Sequence, residues 1–168
     1  MDKQLQKQLE ELFLAMTRGA ARKKIYALRA RQEGNKALAC LFAAISSSES
    51  AQAARFLIQL RGQTGSNEQN CSLAFTDEIP ASITLYEKAA GQAGDVHDKA
   101  IHSACSQSVR VQRMHMNLKK KLEKKSQDKE SKVSYHICQF CGFIMADKAP
   151  ENCPICTAPA SRFQEITT

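Results

Sequence analysis

Apolar residues recur at helical spacing over the first third of the chain. Leu5, Leu9, Leu12 and Met16 fall three or four apart, Ile25 and Leu28 continue the stripe, and no proline interrupts it. This predicts a long helix over 3–33, stopped at Gly34-Asn35. Leu38, Leu41, Phe42, Ile45, Phe56, Leu57 and Leu60 predict a second helix over 36–61, ended by Gly62 and Gly65. At about 1.5 Å of rise per residue, each is on the order of 40 Å long. Residues 62–77 are polar and contain glycine, and read as a long connection. After Pro80, the positions Ile83, Leu85, Tyr86, Ala89 and Ala90 predict a shorter third helix, punctuated by Gly91 and Gly94. Asp95 is a candidate cap for a fourth helix carrying Ile101, Val109, Val111, Met114 and Leu118. Four helices joined by two short connections and one long one predict a four-helix bundle with a long crossover.

The pattern changes after Ser126. Residues 126–132 are polar, lack aromatics and read as a linker. From Val133 on, short β-like pieces alternate with turn residues. The expected division is therefore a helical domain at 1–125, a linker at 126–132 and a small β-rich domain at 133–168. About thirty-five residues bury too little apolar surface to fold without a staple.

Cysteine usage supplies one. The chain of 168 residues has seven cysteines, an odd number that argues against a pure disulfide framework. Cys40, Cys71 and Cys105 stand alone and read as buried thiols. The other four form two Cys-x-x-Cys pairs, Cys138/Cys141 and Cys153/Cys156. Each pair makes a tight turn that directs two sulfurs to one point, and together they suit one tetrahedral zinc or iron ion. Gly142 can take the positive φ such a turn often needs. Ligand type alone does not choose between the metals. Zinc would be structural, and iron would exchange one electron.

The formal net charge is +7. Residues 119–132 hold seven lysines against three acids, so this segment carries most of it. The run reads as a solvated helix end leading into a linker, its lysines complementing the helix dipole. No aromatic interrupts it to stack on a base, which argues against nucleic acid as the partner. No apolar run is long enough to span a bilayer, and the N-terminus lacks the apolar core of a signal peptide, so a cytoplasmic protein with no membrane partner is expected.

The stretches Tyr135-His-Ile-Cys138-Gln-Phe-Cys141-Gly-Phe143 and Ala149-Pro-Glu-Asn-Cys153-Pro-Ile-Cys156, with Phe163 after them, resemble the rubredoxin-like domain of rubrerythrins. The domain order matches too: a ferritin-like four-helix bundle, then the metal knuckles. Thr157 departs from the glycine usual after the second pair, and costs about 1–2 kcal/mol if that position has positive φ. Rubrerythrins reduce peroxide, passing electrons from the rubredoxin-type iron to a di-iron centre in the bundle. The resemblance implies a homodimer and a redox partner protein.

The di-iron ligands this resemblance calls for are largely missing. Where the first helix of the family carries Glu-Ser-Gln-Ala-Arg, this chain has Arg18-Gly-Ala-Ala-Arg22, so a cation replaces a ligand and Arg18 is expected to face the site. Glu49-Ser-Ala-Gln52 has lost the histidine of a Glu-x-x-His. The nearest third-helix match is Glu78-Ile-Pro-Ala81. On the fourth helix Gln112-Arg-Met-His115 matches only after a one-residue shift, and the unshifted positions are Val111 and Met114. Only Glu49, Glu78 and His115 remain as remnant positions, too few anionic oxygens for two irons. The sequence therefore predicts one iron (or zinc in its place), no di-iron centre, and electron transfer in preference to peroxidase activity. Two other functions stay open: a structural-zinc adaptor or nucleic-acid-binding protein, and a residual peroxidase with one metal at Glu49 and His115.

Overall fold

The computed structural model describes residues 1–61, 65–125 and 134–167. The linker expected at 126–132 and the helix stop at Gly62 lie outside the described residues. The chain forms two compact units, Met1–Ser66 and Asn67–Thr168.

The first unit is a helical hairpin of α1 (Lys3–Gln32) and α2 (Lys36–Arg61). Asp2 caps α1, its carboxylate accepting from the amides of Gln4 and Leu5. Gly34, at φ 78°, makes the turn, and the Asn35 side chain caps α2 through the amide of Leu38. The residues withdrawn from solvent on α1 include Leu9, Phe13, Met16, Ala20, Lys23, Ala27 and Ala30; on α2 they include Ala39, Phe42, Ser46, Glu49, Ala53, Phe56 and Leu60. Both sets alternate steps of three and four, the seam of an antiparallel coiled coil. The seam departs from the sequence-derived stripe: Leu5, Leu12, Ile25 and Leu41 are exposed. Its fully buried positions are all alanines, and Tyr26 packs edge-on against Phe42.

The second unit begins with α3 (Asn67–Ser72), which runs through a π-helical segment, Leu73–Glu78, into α4 (Ile79–Asp95). Most of the expected connection is therefore helical. Pro80 has no N–H to return to the preceding turn, so the regular ladder is broken where the wider π turn occurs. Asp95 is the last residue of α4 and does not cap the next helix. That role falls to Asp98, which accepts from the amide of Ile101. α5 (Lys99–Lys125) then packs along α4. The His102 ring bonds the carbonyl of Ala90, and Arg113 pairs with Glu87.

Three antiparallel strands follow: β1 (Ser134–Cys138), β2 (Ile144–Ala146) and β3 (Phe163–Thr167), with β1 central. Four long helices and a terminal three-stranded sheet give the mainly α architecture predicted from the pattern.

Candidate metal centre

Each cysteine pair sits in a backbone knuckle, and the two knuckles repeat one hydrogen-bond scheme. In the first, the amide of Gly142 donates to the carbonyl of Cys138, and the amide of Cys138 to that of Phe143. In the second, Thr157 donates to Cys153, and Cys153 to Ala158. The residue closing each turn has positive φ: 80° at Gly142 and 63° at Thr157. Thr157 thus occupies the left-handed conformation that the sequence comparison marked as costly. Its hydroxyl bonds the carbonyl of Cys156 at 2.6 Å.

The knuckles bring all four sulfurs together. Sγ of Cys138 lies 3.7 Å from that of Cys156, and Sγ of Cys141 lies 3.5 Å from that of Cys153. All four fall within 4.8 Å of one another, and Cys138 and Cys153 are buried. A tetrahedral site with metal–sulfur bonds of about 2.3 Å has sulfur–sulfur edges of about 3.8 Å. The donor set therefore fits one tetrahedral ion. Among the described residues, no other group of three or more His, Cys, Asp or Glu side chains is placed to hold a metal.

Backbone amides aim at the sulfurs. Those of Cys141 and Phe140 reach Cys138, that of Phe143 reaches Cys141, and that of Ala158 reaches Cys156. Burial opposes ionisation of Cys138, but the amides of Cys141 and Phe140, with the neighbouring thiols, outweigh it and hold its pKa below the usual cysteine value. Burial wins at Cys141 and Cys156, whose pKa values are pushed up. These thiols keep their protons at neutral pH unless a cation offsets the charge.

The core around the sulfurs is shared with α5. Phe143 is fully buried and meets Phe163 edge-on. Val111 of α5 packs in the same cluster as Cys138, Phe143, Cys153 and Ile155, with Met114 beside it. Arg110 donates to the carbonyl of Pro154 at 3.3 Å. Val109 and Val111 are both buried, although positions two apart lie about 200° apart around a helix. That pair was the available sign that α5 is covered on two sides.

The remnant di-iron positions are engaged elsewhere. Glu49 lies in the α1–α2 seam, 2.5 Å from the ammonium of Lys23, with its other carboxylate oxygen buried and unbonded. Gly19 leaves the space it fills, since a Cβ there would lie 2.6 Å from that oxygen. The expected cation, Arg18, is exposed because it sits off the seam, and Lys23 takes its place. Glu78 is exposed at the end of the π segment. His115 is turned to the first knuckle, with Nε2 buried and unpartnered. The isolated thiols also differ from expectation: Cys40 is exposed, and Cys71 and Cys105 are half-buried.

Residues 136–164 match the family model of the rubrerythrin rubredoxin-like domain. No curated protein sequence matches the chain significantly. Among solved structures, partially reduced nigerythrin superposes with a TM-score of 0.51 at 17% identity, covering 96% of this chain and 86% of that one. Fully reduced, all-ferrous nigerythrin gives the same values. Its mixed-valent state gives a TM-score of 0.50 at 18% identity, with the same coverage. At this identity the likeness establishes the fold. The chain thus has the fold of nigerythrin, mainly helical and ending in a domain similar to the rubredoxin-like domain of rubrerythrins, with four cysteines placed to hold one metal ion.

Proposed function

We propose that the protein is a one-electron carrier in which Cys138, Cys141, Cys153 and Cys156 hold a single iron and the helical region holds no di-iron pair. Iron among four thiolates supplies one-electron redox chemistry with little change of geometry. The observation that carries the reading is the contrast between the two places where the resemblance would put metal. At the knuckles four sulfurs stand at tetrahedral spacing, with amides directed at them. In the helical seam the ammonium of Lys23 already neutralises Glu49. A cation in that position repels metal ions and offsets the charge of the carboxylate beside it.

The chain's own groups suit electron transfer. Amide donors to sulfur favour the more negative reduced state. Phe140, inside the first knuckle, is 77% exposed and offers an apolar contact next to Cys141. Arg110 places a positive charge on the second knuckle, which favours an acidic redox partner. The exposed Leu5, Leu12, Ile25, Leu41 and Ile58 of the first unit fit the homodimer implied by the resemblance. Among the described residues no helix is long and apolar enough to cross a membrane, consistent with the cytoplasmic location we assign.

Metal counting and a visible spectrum on anaerobically purified protein test this reading. One red iron per chain is expected, with no acceleration of its oxidation by peroxide. Three irons per chain would restore the peroxidase, and colourless protein that does not prefer iron to other divalent metals would remove the electron-carrier role.

A further inference from the structure

The two knuckles repeat one hydrogen-bond scheme but are not equally secured. The first is built into the sheet. Cys138 ends β1 opposite Phe163, and the amide of Gln139 donates to the carbonyl of Arg162. Phe143, 0% exposed, leads directly into β2. Gly142 closes this knuckle at φ 80°, which costs a glycine nothing.

The second knuckle lies between β2 and β3, and only its front half is anchored. Cys153 is 1% exposed, Ile155 packs with Val111, and Arg110 holds the carbonyl of Pro154. The rear half is held by backbone pairs within the same loop: Cys153 to Ala158, Asn152 to Pro159 and Ala160 to Glu151. Here Cys156 is half-buried and Thr157 is exposed. Thr157 closes the turn at φ 63°, a conformation that a β-branched residue resists. Its hydroxyl bonds the carbonyl of the preceding residue, a local contact that ties it to no other element.

We propose that Cys156 is the ligand through which the site opens, so that the ion enters and leaves by the rear half of the second knuckle. Thr157 relaxes to an ordinary backbone conformation while the other three sulfurs keep their places. The Cys156 sulfur retains the electron pair of its bond, and a donor atom from water or a chelator takes the freed position. The inference needs only that the four cysteines hold an ion, whether iron or zinc, and does not depend on the electron-carrier reading.

Transfer of zinc from the loaded full-length protein to pyridylazoresorcinol, followed by absorbance, tests it. Opening relieves the strain at Thr157, so T157G slows release by about 5–30-fold. Strain placed in the first knuckle persists while that knuckle stays closed. G142A, whose Cβ would meet Val111 at 3.9 Å, therefore weakens zinc binding without speeding release. Hydrogen exchange gives a second readout. In the zinc-loaded parent the amides of Thr157 and Cys153 exchange faster than those of Gly142 and Cys138, which make the equivalent bonds, and they slow in T157G. Unchanged release in T157G, or accelerated release in G142A, overturns the proposal. If G142A does not hold zinc, the exchange rates decide, and first-knuckle amides that exchange as fast as those of the second overturn it.

Discussion

Thr157 and His115 show single residues held in states they do not prefer. A β-branched residue at φ 63° is strained, and glycine at the equivalent Gly142 is not. Thr157→Gly is expected to stabilise the metal-loaded protein by about 1–2 kcal/mol, read as a rise in the midpoint of denaturant unfolding. The gain is reduced by loss of the hydroxyl bond to Cys156. His115 is pushed below the usual histidine pKa by burial, partly opposed by the backbone of Gly142. The folded protein then binds fewer protons than the unfolded chain between the two pKa values. Its stability contribution is complete above the ordinary value of about 6.5 and is lost as pH falls toward the folded pKa. NMR titration of the ring should give a midpoint below that of an exposed histidine. The motif marked Thr157 as a departure, but its φ required the folded knuckle. The surroundings of His115 could not be inferred, because they lie 27 residues further along the chain, at Gly142.

At the scale of elements, the informative feature is the polar layer in the α1–α2 seam. The helices and their ends were readable from periodicity, Gly34 and Asn35. Which face is inside was not, because alanines carry a weak pattern and leucines stand exposed on the same helices. Lys23 and Glu49 fall on the seam at steps that, apart from Ser46, otherwise place apolar residues. Such a pair helps fix helix register, because a slipped hairpin strands a charge among alanines. Lys23→Ala should destabilise the hairpin by about 1–3 kcal/mol, as it leaves a largely buried carboxylate unpaired. The double change Lys23→Leu with Glu49→Leu should recover most of that loss. Thermal unfolding of the three proteins checks both, and a Lys23→Ala protein as stable as the parent would show that the pair is idle. In the second unit, Pro80 marked a helix start, but only backbone geometry shows the π turn before it.

At the scale of the whole molecule, the metal site and α5 share one core, so loss of the ion should propagate into the helix. Chelation is expected to unfold the strands and to raise amide exchange in α5 around Val111 and Met114, while α1 and α2 keep their protection. Hydrogen exchange on metal-loaded and chelated protein reads this directly. Unchanged exchange in α5 would mean that the knuckles do not support it. Because Cys141 and Cys156 hold protons in the absence of a cation, metal uptake releases protons and strengthens as pH rises.

The four cysteines, the knuckle turns and the order of helices before strands were all available in the linear chain. Spacing alone brings Cys138 and Cys141, or Cys153 and Cys156, to one turn, and local periodicity alone makes a helix. The ammonium that neutralises Glu49 and the helix face that walls the metal domain emerge only on folding. Each joins residues more than twenty positions apart, and no local pattern carries the packing that pairs them.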